Sequence, residues 1–508
     1  MSLLVVVVLL YPLILIGVSL WRSRSVKSLE DFAVAGRSVP VALLVGTLVC
    51  TWIGSGSLFG GAGLAYRTGI AELWFSSGGW AGLLVAFFLA HRVRRIAKYT
   101  VPDLLEQRYN AAARLLGTLA IILAYVTIAA YQFRGGGWIL SVVTDGAISP
   151  TMGMLITAAT IVVFTALAGM MSIVSVDVLN GIIITAGVVL ALPSVIFANG
   201  GIGGVGSALP AGHTTVLGGH NLLWVLGVAM PTFLLILGES GMYQKFFSAK
   251  DESAARRAVV GMLIGIVVIE VVIALLGVVG RAVYPELGTA TWMGGRDASE
   301  TVILHIARNG LPTLLGAVLL ASAVAIVLST GNTFLLVPST NVSRDLYERF
   351  INPQASERKK ILVQRVSVAL FGALGLVFLT QFDSVLAMAL YAYSLVGASL
   401  TPALLAAFLW KRVTPQGGVA CIAGGLGSIV GIAILSRFGV GFVATIGGTS
   451  FDFADSTYIV IPGVIISTGL MVVVSLLTKP SPESQWAPFF APAGPAKAEP
   501  ASDEPAGR

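Results

Sequence analysis

A chain of 508 residues in which 56% of side chains are hydrophobic and only 11% are charged, with a mean hydropathy of +0.91, lacks the polar surface that a water-soluble fold requires. Its net charge of +7 is carried by basic loops with no interleaved aromatic stripe, which excludes a nucleic-acid reading and makes anionic lipid the partner of those charges. The two cysteines, Cys50 and Cys421, lie in apolar stretches and form neither a disulfide framework nor a metal-ligand cluster.

A hydrocarbon core about 30 Å thick takes about 20 apolar residues of helix. Thirteen such runs follow one another, near 3–20, 41–66, 73–90, 115–143, 152–169, 177–198, 222–239, 258–279, 313–342, 361–379, 385–410, 417–435 and 458–477. Backbone groups in lipid must be satisfied within their own segment, so these spans are helices and the predicted fold class is an all-α membrane protein. Of the 31 basic residues, 25 fall in alternate loops and the tail, Arg92, Arg114, Lys245 and Arg344 among them. That asymmetry predicts a plasma (inner) membrane protein with its N-terminus outside and its C-terminus in the cytoplasm. The first span has Arg22 and Arg24 after it and no basic residue before it, a pattern that suits a retained anchor rather than a cleaved signal. From residue 478 the chain is rich in Pro, Ala, Glu and Ser, and 478–508 is expected to be a disordered tail.

The second span holds five glycines and two serines between Gly54 and Gly63. Glycine weakens a helix by about 1 kcal/mol relative to alanine, so this helix is expected to be interrupted, freeing carbonyls that can meet an ion. The same composition also suits close helix packing. In the ninth span Ser329, Thr330, Asn332 and Thr333 break an otherwise apolar run. Their hard oxygens are the donors that replace water around an alkali cation, although each hydroxyl also has its own i−4 carbonyl as a partner.

Charged residues at membrane depth are costly, so Arg134, Asp177, Glu239 and Glu270 are functional candidates. Arg134 and Glu270 also suit a structural ion pair across a helix interface, and Asp177 a helix N-terminal acid. Gly201-Ile-Gly-Gly-Val-Gly206 fits a dinucleotide fingerprint but has no strand before it and reads as a flexible external loop. No nucleophile with its base and no metal cluster is found, so no enzymatic role is expected.

In order and spacing, several segments resemble the sodium:solute symporter family over nearly the whole chain. Asp31-Phe-Ala-Val-Ala-Gly-Arg-Ser-Val-Pro40 is similar to the family's signature before its first core helix. Phe164-Thr165 with Gly169, Ser172 and Asp177 resembles its fifth core helix, and Tyr243–Asp251 the stretch after its sixth. Ser329-Thr330 followed by Arg344-Asp345 and Tyr347, and Pro402 with Trp410-Lys411-Arg412 and Gly417-Gly418, match its later motifs.

The resemblance implies two inverted five-helix repeats, spans two to six and seven to eleven, with one extra span before them and two after. By residue, 1–40 would hold the extra N-terminal helix, 41–199 the first repeat and 200–221 an external loop. Residues 222–435 would hold the second inverted five-helix repeat, and 436–477 the C-terminal extra helix. It implies sodium, co-transported, held by the carbonyls of Cys50, Ile53 and Ile326 and the hydroxyls of Ser329 and Thr330. Some branches add a second sodium, here at Asp177 and Thr333, although Gly54 and Asn332 depart from their pattern. Solute contacts carry over to Ser55, Ser57, Gln132, Glu239 and Tyr393. The implied function is sodium-coupled import of a small polar solute, such as proline or another amino acid, a carboxylate or a sugar. A proton-coupled symporter and a transporter-like sensor are the alternatives.

Overall fold

The structure, a computed structural model, describes residues 3–23, 39–96, 100–289, 291–292 and 296–490. Most of the Asp31–Pro40 signature and tail residues 491–508 lie outside them, and Gly169 and Ser172 fall outside the described side chains.

The first helix, α1 (Leu3–Ser23), is followed by α2 (Val41–Trp52), which starts directly after Pro40. At Ile53 the backbone turns extended, with φ −73° and ψ 99°, and the chain resumes as a wide π turn, Gly56–Gly61, and α3 (Ala62–Thr68). Gly69 then reverses the chain at φ +69°, where a β-carbon would sit 2.0 Å from the His213 carbonyl oxygen, so only glycine fits. The first half continues through α4 (Leu73–Ile96), α5 (Val101–Arg108), α6 (Ala111–Val143) and α7 (Pro150–Ala198). Side-chain oxygens of Thr100, Asn110 and Ser149 accept from the first free N–H groups of the last three.

Helix α7 carries two apolar stretches, Pro150–Leu167 and Val176–Ala198, each suited to cross a membrane. Its two ends lie at one end of the bundle. Gly153 packs on Gly137 near the close of α6, and Val195 packs on Gly310, while Arg308 nearby donates to the Val142 carbonyl. The two stretches therefore run in opposite directions.

The sequence reading of 201–206 as a flexible loop is corrected, because Gly201–Ala208 forms helix α8. Gly200 enters it at φ +80°, a turn that glycine makes without a Cβ penalty. The second half begins with α9 (Leu222–Gly238), which is broken at Glu239 (φ −71°, ψ 106°) and continues as α10 (Ser240–Ser248). After α11 (Glu252–Val283) come a minimal hairpin of β1 (Thr291–Trp292) and β2 (Arg296–Asp297), the short α12 (Val302–His305), and α13 (Thr313–Asn341), which passes into a π turn, Val342–Ile351. Then follow α14 (Glu357–Phe378), α15 (Val385–Ser399), α16 (Thr401–Leu409) and α17 (Pro415–Arg437). Strands β3 (Val443–Ile446) and β4 (Thr449–Asp452) pair in register Val443↔Asp452 across Gly447-Gly448, both at positive φ, the turn that matches strand twist. After α18 (Val460–Leu477), residues Glu483–Phe490, expected to belong to a disordered tail, form α19. Its apolar face explains the difference, since Phe489 is buried against Phe408 and Trp486 lies under the Lys411 ammonium.

Among the described residues eleven helical segments are long and apolar enough to span a membrane, and Leu3–Leu15 and Val41–Trp52 are shorter apolar helices. The molecule is thus nearly all helical, with two short hairpins that the sequence did not announce. Phe88, Ile182, Leu370 and Leu477 are exposed on the outside, the arrangement of a chain solvated by lipid. At the centre runs α13, whose residues from Gly316 to Asn341 are almost all buried.

Candidate functional site

The interruption of α2 lies against the polar turn of α13. Thr330 Oγ1 donates to the carbonyl oxygens of Cys50 at 3.2 Å and Ile53 at 3.0 Å, and Ser329 Oγ lies 3.5 Å from the Cys50 oxygen. Ile326, one turn earlier on α13, is fully buried. The break leaves the Ser55 N–H without a helical acceptor, and Gln132 on α6 supplies one: its Oε1 accepts from Ser55 N at 3.0 Å and from Ser55 Oγ at 2.7 Å. A β-carbon at Gly54 would meet Gln132 Nε2 at 2.9 Å and Thr330 Cγ2 at 3.0 Å, so the absent side chain at 54 is what lets the three elements close on each other.

Asp177 is a second hub. Its carboxylate accepts from Thr47 Oγ1 and Ser329 Oγ, both at 2.5 Å, and the Lys245 ammonium of α10 stands 4.0 Å away. That ammonium donates to the Thr47 carbonyl at 2.7 Å and to Thr51 Oγ1. Thr51 Oγ1 in turn lies 3.3 Å from Thr333 Oγ1.

The second broken helix faces the first. The Glu239 carboxylate caps α10 by accepting from Gly241 N at 2.8 Å and from Met242 N, and it also accepts from Tyr125 Oη at 2.5 Å. Between the two breaks lies a small cavity of about 20 Å³, walled by Thr51 and Trp52 of α2, Glu239, Thr330, Tyr131 and Tyr393. It has room for about one water molecule, so anything larger enters only when these walls part. The Tyr131 and Tyr393 hydroxyls are 3.3 Å apart.

Two helix breaks of nearly equal dihedral angles thus face each other across a small cavity, and the first of them meets hydroxyls of the central helix α13. The family model of the sodium:solute symporter family matches residues 32–425. The chain belongs to the sodium:solute symporter family. Among its relatives are an osmoregulated proline transporter of Bacillus subtilis, 24% identical over 92% of this chain and 94% of the relative, and a sodium/pantothenate symporter of Escherichia coli, 27% identical over 82% and 88%. In fold it is similar to a Na+-coupled sialic acid symporter solved in a substrate-bound outward-open state, with a TM-score of 0.72 at 15% identity, covering 94% of this chain and 98% of that one. A closed nucleobase-cation-symport-1 family transporter follows at TM-score 0.60 and 12% identity, covering 90% and 97%.

Within this family member the residues singled out from sequence separate into groups. Cys50, Ile53, Ser329 and Thr330 are brought together, and Asp177 joins them through Ser329. Thr333 belongs to the Thr51 and Lys245 side of the same junction. Of the solute candidates, Glu239 and Tyr393 wall the cavity, whereas Ser55 and Gln132 sit behind the wall, bonded to each other. Among the described residues Gln132 Nε2 has no hydrogen-bond partner. Ser57 lies 3.4 Å from Glu270.

Arg134 and Glu270 do not pair. Arg134 donates to the carbonyls of Leu379 at 2.7 Å and Phe382 at 2.9 Å. Glu270 accepts from the indoles of Trp52 at 2.8 Å and Trp80 at 2.6 Å, and so fixes the ring that walls the cavity. Asn332 spends its Oδ1 on Thr165 at 3.0 Å. Thr51, Trp52, Tyr131 and Lys245 went unmarked in the sequence. Lys245 was hidden because it looked like one more basic residue of a cytoplasmic loop.

One end of the bundle is closed by a charge network. Arg114 bonds Asp103 at 2.7 Å, Glu106 at 2.5 Å and Asp345 at 2.6 Å, and Arg349 reaches Glu106 at 2.7 Å. Burial alone would raise the Glu106 carboxyl, but the Arg349 and Arg114 guanidiniums outweigh it and hold it below its ordinary value. At the other end Glu300 caps α15, accepting from Val385 N at 2.8 Å and Leu386 N at 2.9 Å.

Proposed function

We propose that this chain imports a small polar organic solute, an amino acid such as proline, a carboxylate or a sugar, together with sodium by alternating access. The observation that carries the reading is the convergence of the Thr330 hydroxyl on the Cys50 and Ile53 carbonyls where α2 unwinds. Neutral hard oxygens gathered in a buried junction suit an alkali cation. The carbonyls of Cys50, Ile53 and Ile326 and the hydroxyls of Ser329 and Thr330 serve as ligands, and each hydroxyl turns its proton aside to present oxygen to the ion. Support also comes from relatives named as sodium/proline and sodium/pantothenate symporters.

Solute binds between the two breaks, against Glu239 and Tyr393. Gln132, whose Nε2 is uncommitted among the described residues, supplies a donor once Gly54 and Ser55 shift, and Ser55 and Ser57 lie on the moving segment. The end bearing the Arg114 network gathers basic residues of several loops, including Arg94 on the Ala249 carbonyl and Arg108 on the Val413 carbonyl, which supports a cytoplasmic assignment for that end in the plasma membrane and an external N-terminus. An inside-negative potential contributes about 2.3 kcal/mol per charge per 100 mV, enough for one sodium to concentrate a neutral solute about fifty-fold.

The test is uptake of labelled proline, other amino acids, sugars and carboxylates into proteoliposomes with and without an imposed sodium gradient. Accumulation of at least one solute that collapses without the gradient is expected. Accumulation that ignores sodium would assign coupling to protons, and no uptake of any solute would point to a sensor.

A further inference from the structure

We infer that the side chain of Lys245 stands in the second cation position of this chain, so that one sodium ion travels with each solute. The inference rests on the sodium-coupled reading above and extends it to the number of ions.

Lys245 is fully buried on α10. Its Nζ lies among the Thr47 carbonyl, Thr51 Oγ1 and the Asp177 carboxylate, with Thr333 Oγ1 next in line beyond Thr51. One carboxylate, two hydroxyls and one main-chain carbonyl are a donor set for a hard cation, and the amine already bonds two of these oxygens and stands 4.0 Å from a third, on Asp177. The charged or titratable groups facing it are Asp177, Glu239 and the Cys50 thiol. A sodium ion added here would set two like charges a few ångströms apart with Asp177 the carboxylate at ion-pair distance, Glu239 being spent on Gly241 N, Met242 N and Tyr125 Oη.

The oxygens that might otherwise complete a second site are committed or absent. Asn332 Oδ1 accepts from Thr165, and position 54 is a glycine closed in by Gln132 and Thr330. The first site is not excluded by the same argument. Cys50, Ile53 and Thr330 contribute neutral oxygens on the far side of Ser329, and the Asp177–Lys245 pair they face is balanced before any ion arrives. A single sodium therefore enters beside a neutral pair.

Equilibrium binding of radioactive sodium to the purified full-length chain in detergent tests this without any solute. Wild type should saturate at one ion per chain. Lys245→Met, which keeps the length of the side chain and removes its amine, should saturate at two, and the added ion should be lost again in Lys245→Met/Asp177→Asn. Two ions per wild-type chain, or one in a folded Lys245→Met, would overturn the assignment while leaving sodium coupling intact. No binding by wild type would instead overturn the sodium-coupled reading, and this inference with it. Should Lys245→Met not fold, Lys245→Gln, which also removes the charge, takes its place with the same expected count of two, and two ions per wild-type chain still contradict the assignment.

Discussion

Replacing Thr330 by valine removes one oxygen and keeps the shape of the side chain, so it isolates what that hydroxyl contributes. Without sodium, Oγ1 donates to two neutral carbonyls at 3.2 and 3.0 Å, an interaction of about 1 ± 0.5 kcal/mol. With sodium its oxygen faces a full positive charge, and a bond to a charged group is worth about 1.5–3 kcal/mol. Affinity reports the difference between the two states, about 0.5–2 kcal/mol, or roughly a 2- to 30-fold rise in the sodium concentration for half-saturation. The fully lost interaction would overstate the effect, because the unbound state loses something too. Sodium-dependent uptake, or direct sodium binding, reads the shift, and a thermal melt confirms that the variant folds. A folded Thr330→Val with unchanged half-saturation would refute the assignment of the ion to this junction. Ser329→Ala should act differently, since its main partner is the Asp177 carboxylate at 2.5 Å, and its loss should lower the melting midpoint as well as sodium affinity.

Three further outcomes follow from particular contacts. Arg114→Met strips the buried Asp345 of its guanidinium, a change that costs about 3–5 kcal/mol where a charge is left unpaired. A clearly lower melting midpoint in detergent is expected, only partly restored by Arg114→Lys, which lacks the planar fork; an unchanged midpoint would remove the network as a clamp. Gly56→Ala places a β-carbon 2.6 Å from Tyr393 Oη and should raise KM for solute while leaving sodium half-saturation near wild type, the opposite split counting against Tyr393 as a wall of the solute site. Burial raises the Glu300 carboxyl above its ordinary value against the opposing Leu386 N–H, Arg67, Val385 N–H and Arg134. A raised folded value means that stability from this group is full below about pH 4.3 and declines as pH rises through the folded value. Glu300→Gln, neutral throughout, should lose less stability than wild type between mild acid and neutral pH, as followed by melting midpoints, and parallel profiles would contradict it.

The first break was legible because its cause is compositional: Gly54, Ser55 and Gly56 cannot hold a helix against competing polar partners, and five glycines fall between Gly54 and Gly63. The second was not. Leu234 to Gly238 reads as the end of an ordinary apolar span, and what stops the helix is Glu239 turning its carboxylate onto the N–H groups of Gly241 and Met242, a local choice available to any acid near a helix start. Asp177 was visible as an acid at membrane depth, but its hub role depends on Thr47 and Lys245, 130 residues before it and 68 after it in number, and nothing local marks either. The charge asymmetry of the loops gave the right grouping of Arg94, Arg114 and Arg344 at one end, yet it also swept in Lys245, because counting along a sequence cannot tell a loop lysine from one folded back into the core.

In the proposed reading the run from Cys50 to Ser55 links ion and solute through a single stretch of backbone. In an unbroken helix the carbonyls of Cys50 and Ile53 would be consumed by the i+4 N–H groups; the extended turn at Ile53 releases oxygen for a cation and at the same time aims Thr51 and Trp52 at the cavity. Thr330 touches both sides, bonding the two carbonyls and walling the cavity. Glu270 holds the Trp52 indole from α11 and Lys245 holds Thr47 and Thr51 from α10, so motion of either helix is felt at the same few peptides. An ion held as proposed would fix those carbonyls and with them the wall proposed for solute, and a coupling of about 1–3 kcal/mol, typical for linked sites, needs no further pathway. Each ligand then favours the conformation the other requires, which is the thermodynamic condition for symport.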